Sequence, residues 1–223
     1  RRFRAQAPGA NVHVPWPNPT TQLYFTPPEP RDIAQYRQMA REAHDKGQKL
    51  IPYSQLTWIS TATPQWKKYQ AEWTRPDNEK NDTSPDVAAF AAPVMCVRPT
   101  QSWIDFCVWN NHRLVKELDR DGIYVDFAMT QFWEETRGGQ RMRYWPFFAV
   151  REVFKRTYTM LKQDNPGNLL IAHMSPHMET QTLAFADIYL DGEGNWVGQL
   201  KDNYLDLIPL AAFRAEFIGH QYG

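Results

Sequence analysis

The stretch Asp121-Gly122-Ile123-Tyr124-Val125-Asp126-Phe127 decides the fold. A turn signal leads into an apolar run rich in β-branched and aromatic residues, and the run closes on a carboxylate. A short run of that content bounded by a turn reads as a buried strand. An acid at the end of such a strand needs a partner or a task, because burying a lone charge is costly.

Amphipathic helices flank this strand. Upstream, Thr100 can cap a helix through Leu118 in which Trp103, Phe106, Cys107, Asn110, Leu114 and Leu118 share one face; Trp103 and Trp109 are read as packing residues. Downstream, Pro146 opens a helix with Phe147, Val150, Phe154, Tyr158 and Leu161 on its inner side, and Asn165-Pro166-Gly167 ends it. Further strands follow at Leu169–His173 and Ala186–Glu193, with a last helix from near Pro209. Toward the N-terminus lie a strand at Asn11–Val14, a helix at Arg31–Lys46 stopped by Gly47, and a strand at Lys49–Gln55 containing Pro52. Residues 57–99 read as a long loop, either a lid over a site or a plain surface excursion, and residues 130–144 as a charged loop turning at Gly138-Gly139.

Alternating strands and helices predict an α/β fold with a parallel sheet. Five such units point to a (β/α) TIM-type barrel, incomplete because a full eightfold barrel takes about 250 residues. The expectation is a single barrel domain over residues 1–223, cut from a longer protein.

Composition narrows the partners. Lys and Arg number 25 and Asp and Glu 25, so no net charge points to nucleic acid or to an anionic membrane surface. No run approaches the length needed to span a bilayer. The N-terminal stretch has no apolar core, so it is not a signal peptide. Cys96 and Cys107, the only two cysteines, lack metal-ligand spacing and read as two buried thiols, with a disulfide the alternative if the protein is exported. No cofactor or metal is called for, and the oligomeric state is left open. Aromatic residues make up 14% of the chain with nine Trp, which suits flat faces for sugar rings as well as core packing.

All strand C-termini of a parallel βα fold open on one face, where active sites are built. Here three strands end in Asp126, in His173, and in Asp191 with Glu193. Two carboxylates from separate strands suit glycosidic bond cleavage, one ionised as nucleophile or charge stabiliser and one protonated as acid. Asp126 and Glu193 are the candidate catalytic pair, with Asp191 an alternative for the second role, since residues two apart on a strand face the same way. Candidate substrate-binding residues at or after strand ends are His13, Trp16, Tyr53, Trp133, His173, Asp191 and Trp196.

The strings LDRDGIYVDF, AVREVFKRTY, ADIYLDGEGNW and FRAEFIGHQYG resemble glycoside hydrolase family 123-like barrel domains and, more distantly, the α-galactosidase-type retaining barrels. The resemblance runs from AREAHDKGQKLIPY onward, with DGIYVDF and DGE its most specific elements. It implies a glycoside hydrolase acting on an oligo- or polysaccharide, and a secreted or periplasmic location. In the distant group the nucleophile ends the fourth strand and the acid/base the sixth, an order Asp126 and Glu193 match if the Lys49 strand is the third. The chain departs from family 123 in lacking an adjacent Asp-Glu pair; the nearest is Glu134-Glu135. Substrate-assisted cleavage of an N-acetylhexosamine is therefore not implied. The alternative is a barrel that binds carbohydrate without cleaving it.

Overall fold

A computed structural model of the chain describes residues 11–76, 85–90, 92–128, 132–173 and 179–190. In chain order the first half holds β1 (Asn11–His13), α1 (Ile33–His44), β2 (Gln48–Leu50), β3 (Tyr53–Gln55), β4 (Trp58–Ser60), α2 (Pro64–Trp73), α3 (Pro85–Ala88) and β5 (Val94–Cys96). The second half holds α4 (Gln101–Leu118), β6 (Gly122–Asp126), β7 (Trp133–Arg137), β8 (Gln140–Tyr144), α5 (Phe147–Asp164), β9 (Leu169–His173), α6 (Thr180–Leu183) and β10 (Ile188–Leu190).

β10, β9, β6 and β3 lie side by side in that order, all parallel. β1 pairs with β2, also in parallel. β2 and β3 are one strand path broken at Pro52, which has no N–H to donate. The path stays in the sheet on both sides. Ile51 N–H donates to the His13 carbonyl (2.9 Å), and Asp121 and Tyr124 N–H donate to the Leu50 and Pro52 carbonyls (3.1 and 3.0 Å). Five parallel positions thus follow one another in chain order, forming an open arc among the described residues. Among the described residues the strand bearing Asp126 is the third position and the Lys49 strand the second.

The strands alternate strictly between two faces. Ile123, Val125, Leu170 and Ala172 join the core under α4 and α5, with Trp103, Leu114, Leu118, Phe154 and Leu161. Tyr53, Tyr124 and Ile171 face the other way, into a second cluster with Phe25, Val87, Phe90 and Val94. Each fully buried apolar side chain is worth about 1.5–3 kcal/mol of transfer free energy, so the α4–α5 layer anchors the arc. Gly122 begins β6 at φ 152°, and a Cβ there would sit 1.9 Å from the Leu169 carbonyl oxygen. Only glycine allows β6 and β9 to approach at that point.

α4 starts as its sequence predicts, with Thr100 Oγ1 accepting from Trp103 N–H at 3.4 Å. It ends on Asp119 in the left-handed conformation. α1 is capped by Asp32, whose Oδ1 accepts from Ala34 and Gln35 N–H, so the helix starts two residues later than the Arg31 expected from the sequence. The buried stripe of α5 is Val150, Val153, Phe154, Thr157 and Leu161; Phe147 is exposed.

Two segments expected as loops carry structure. Residues 57–99 contain β4, α2, α3 and β5, and β4 pairs antiparallel with β5. Val87, Phe90 and Val94 from this excursion pack against the inner face of the sheet. Residues 133–144 form the hairpin β7–β8, turning at Gly138 and Gly139 with φ 57° and 77°. Two successive positive φ values are what a tight hairpin turn demands. Cys107 is buried, and burial pushes its thiol well above the ordinary cysteine range. Cys96 is half-buried.

Candidate active site

Asp126 ends β6, paired in register with Gln55 at the end of β3. His173 ends β9, next to β6, and Leu190 ends β10 in register with His173. Tyr53, two residues before Gln55, lies on the same face as Asp126 by the period of the strand. The parallel pairing therefore delivers Tyr53, Gln55, Asp126 and His173 to one rim.

Their contacts form a continuous chain. The Tyr53 hydroxyl donates to Asp126 Oδ2 at 2.7 Å. His173 Nδ1 lies 2.6 Å from Asp126 Oδ1, which also accepts from Phe127 N–H at 2.9 Å. Gln55 Nε2 donates to the Tyr53 oxygen at 2.5 Å. Asp126 is 7% exposed, Tyr53 1% and Gln55 4%, so these bonds form away from water. With its hydroxyl oxygen accepting from Gln55, Tyr53 has its single proton directed at Asp126. An ionised Asp126 can only accept, which assigns the His173 proton on that side of the ring to Nδ1. Burial first, and then the Asp126 charge and hydrogen bond, push the Tyr53 phenol well above the ordinary tyrosine range. Tyr53 is therefore a neutral donor throughout the working pH range.

Two features of the rim escape a reading of the sequence. Phe127, directly after Asp126, sits at φ 48°. A bulky residue with positive φ is a true outlier, and such outliers gather at functional sites. Its ring packs on Trp58 at 5.1 Å, so the turn that aims Asp126 is clamped by the 57–99 excursion. Gln55 is the second. Its Oε1 is buried and accepts no hydrogen bond. Only the cross-strand pairing of Gln55 with Asp126 makes it a candidate; its place at the end of the predicted Lys49–Gln55 strand was the available signal.

The remaining predicted residues divide. Trp16 is 54% exposed and meets Tyr53 edge-on at 5.0 Å, beside the rim. His13 is exposed and pairs with Leu50, three positions below Tyr53 along the strand path. Trp133 lies in the hairpin and stacks on Tyr144 at 5.5 Å. Asp191, Glu193 and Trp196 lie outside the described residues, although β10 ends at Leu190, one residue before Asp191. Among the described residues no group of three or more His, Cys, Asp or Glu is placed to hold a metal ion. Nor is any helix among them long and apolar enough to cross a membrane.

No family model matches the chain, and no curated protein matches it in sequence. Solved structures do resemble it. An α-amylase from Lactobacillus plantarum has TM-score 0.59 at 13% identity, over 86% of this chain and 45% of that one. A cycloisomaltooligosaccharide glucanotransferase from Paenibacillus sp., complexed with cycloisomaltoheptaose, has TM-score 0.53 at 13% identity, over 83% and 27%. An α-galactosidase from Thermus thermophilus, in complex with p-nitrophenyl α-D-galactopyranoside, has TM-score 0.51 at 12% identity, over 76% and 32%. The chain thus carries an α/β fold of the kind found in glycoside hydrolases. It spans less than half the length of each of these neighbours.

Proposed function

We propose that the arc is part of a (β/α) TIM-type barrel and that it belongs to a glycoside hydrolase of an oligo- or polysaccharide, with Asp126 as nucleophile or charge stabiliser. One observation carries this reading. A buried carboxylate ends a central parallel strand and accepts hydrogen bonds from Tyr53, His173 and the Phe127 backbone. A carboxylate so held would set negative charge where an oxocarbenium-like sugar develops positive charge. The solved neighbours of like fold support the class, and the DGIYVDF and DGE strings support a place near the family 123-like domains.

In this reading Asp126 meets the anomeric carbon as the glycosidic C–O bond breaks. The leaving oxygen takes its proton from a second carboxylic acid. Glu193 is proposed for that acid and Asp191 as its neighbour, since both follow β10 closely in sequence. His173 and Trp16 are proposed to line the sugar site, Trp16 by offering an exposed aromatic face. Tyr53 holds Asp126. A secreted or periplasmic location follows from the same resemblance.

The test is turnover of p-nitrophenyl hexopyranosides and a panel of soluble oligosaccharides by the intact protein and by Asp126→Asn. Loss of about a thousandfold or more in kcat, with sugar binding retained, is the expected outcome for a group acting on the reacting carbon. Binding without turnover in the unmutated protein would make the chain a carbohydrate-binding barrel instead. Turnover unaffected by the substitution would remove Asp126 from the chemistry.

A further inference from the structure

A cavity of about 290 Å³, lined by none of the rim residues, lies between the segment after β1, the start of α2 and one side of α4. One part of its lining is aromatic and aliphatic, with Leu23, Tyr24, Phe106 and Trp109. Trp109 was read from the sequence as packing, yet it is 52% exposed, and Leu23 is 39% exposed. Pro27 and Pro64 extend the apolar part, and the remaining lining is polar. Arg113 holds Glu29 through both terminal nitrogens, one of them at 3.2 Å, and its guanidinium lies 5.6 Å from the Trp109 ring centre. Gln65 and Asn110 add amides beside that pair.

We infer that this cavity is a second saccharide-binding site, separate from the proposed catalytic rim. The volume approaches the lower end of small-ligand sites, which are aromatic-lined with a few placed polar groups. Glu29 and Arg113 cancel in charge, so the lining favours neither an anion nor a cation, and a neutral ligand fits best. A sugar ring presents an apolar C–H face for Trp109 and hydroxyls that both donate and accept. Adjacent hydroxyls can bridge a carboxylate and a guanidinium at once. The guanidinium against one side of Trp109 holds the indole in place, which lowers the entropy lost on stacking a ligand.

The inference does not depend on the catalytic reading and is tested without turnover. The intact protein is run by affinity electrophoresis through gels containing soluble starch, dextran, galactomannan or xylan. Retardation by at least one polymer is expected. Trp109→Ala should weaken it about tenfold, as removal of an exposed aromatic anchor does, with Trp109→Phe intermediate. Asp126→Asn should leave that component of retardation unchanged. Glu29→Gln, which keeps the side-chain shape, should also weaken it, and guards against a packing effect of the tryptophan change. Equal retardation of Trp109→Ala and the unmutated protein would overturn the second site, and so would the absence of retardation by every polymer.

Discussion

Asp126 and Glu134 stand only eight residues apart, and each carboxylate gathers several donors, but their surroundings differ completely. Asp126 sits under the strand ends with Tyr53, His173 and a backbone N–H. Glu134 sits on the β7–β8 hairpin between Arg141 and Arg143, and Glu135 beside it pairs with Arg137. The guanidinium groups of Arg143 and then Arg141 lower the Glu134 carboxyl below its ordinary range. More formal charge surrounds Glu134, yet water and salt screen it. Mostly neutral donors surround Asp126, in a place where an unmade hydrogen bond is costly. The exposure of the partners separates the two: Arg141 and Arg143 are 76% and 54% exposed, while Tyr53 is 1% exposed.

The contrast can be broken most forcefully at Asp126. Asp126→Ala leaves the Tyr53 hydroxyl, a His173 ring nitrogen and the Phe127 N–H without their acceptor, and should cost about 2–4 kcal/mol in urea unfolding. A loss below about 0.5 kcal/mol would place the rim in contact with water and undo the comparison. Tyr53→Phe removes one link and strands Gln55 Nε2, so about 1–3 kcal/mol is expected from the same measurement.

Alkaline pH sharpens the account on the folded side. Burial raises the Tyr53, Tyr36 and Cys107 groups, so the native state keeps protons that the unfolded chain releases. Stability should therefore be full below the unfolded cysteine value of about 8.5 and fall as pH climbs through it and then through about 10 for the tyrosines. Urea midpoints that stay level between about pH 8 and pH 10.5 would contradict these burials. The smallest effect belongs to the hairpin. Glu134→Gln should leave the unfolding midpoint unchanged at about 1 M salt, where the surrounding charges are screened.

Much of this arrangement was legible in the residues, for identifiable reasons. Apolar runs ending in Asp126 and His173 announce buried strands with polar tips, and the sheet's period of two then puts both on one face. The helix at Gln101–Leu118 was readable because Thr100 and an apolar stripe agree. Short strands were not. β4 and β5 have three residues each, and their pairing is set by partners nearly forty positions apart. The hairpin did carry a signal in Gly138-Gly139 between matched five-residue segments, masked by its charged side chains. Phe147 and Trp109 were assigned to the interior by helical spacing, but spacing alone does not say where a helix face runs out of neighbours. Gln55 emerges only from the pairing that sets it opposite Asp126.

The central claim is that the Asp126 carboxylate itself faces the reacting sugar carbon. Chemical rescue of Asp126→Ala by added formate or azide tests it directly, using an aryl glycoside that the unmutated protein turns over. Recovery of turnover that rises with anion concentration, and that Glu134→Ala neither needs nor shows, is the predicted result. No recovery, in a variant that still folds and binds the sugar, would contradict it.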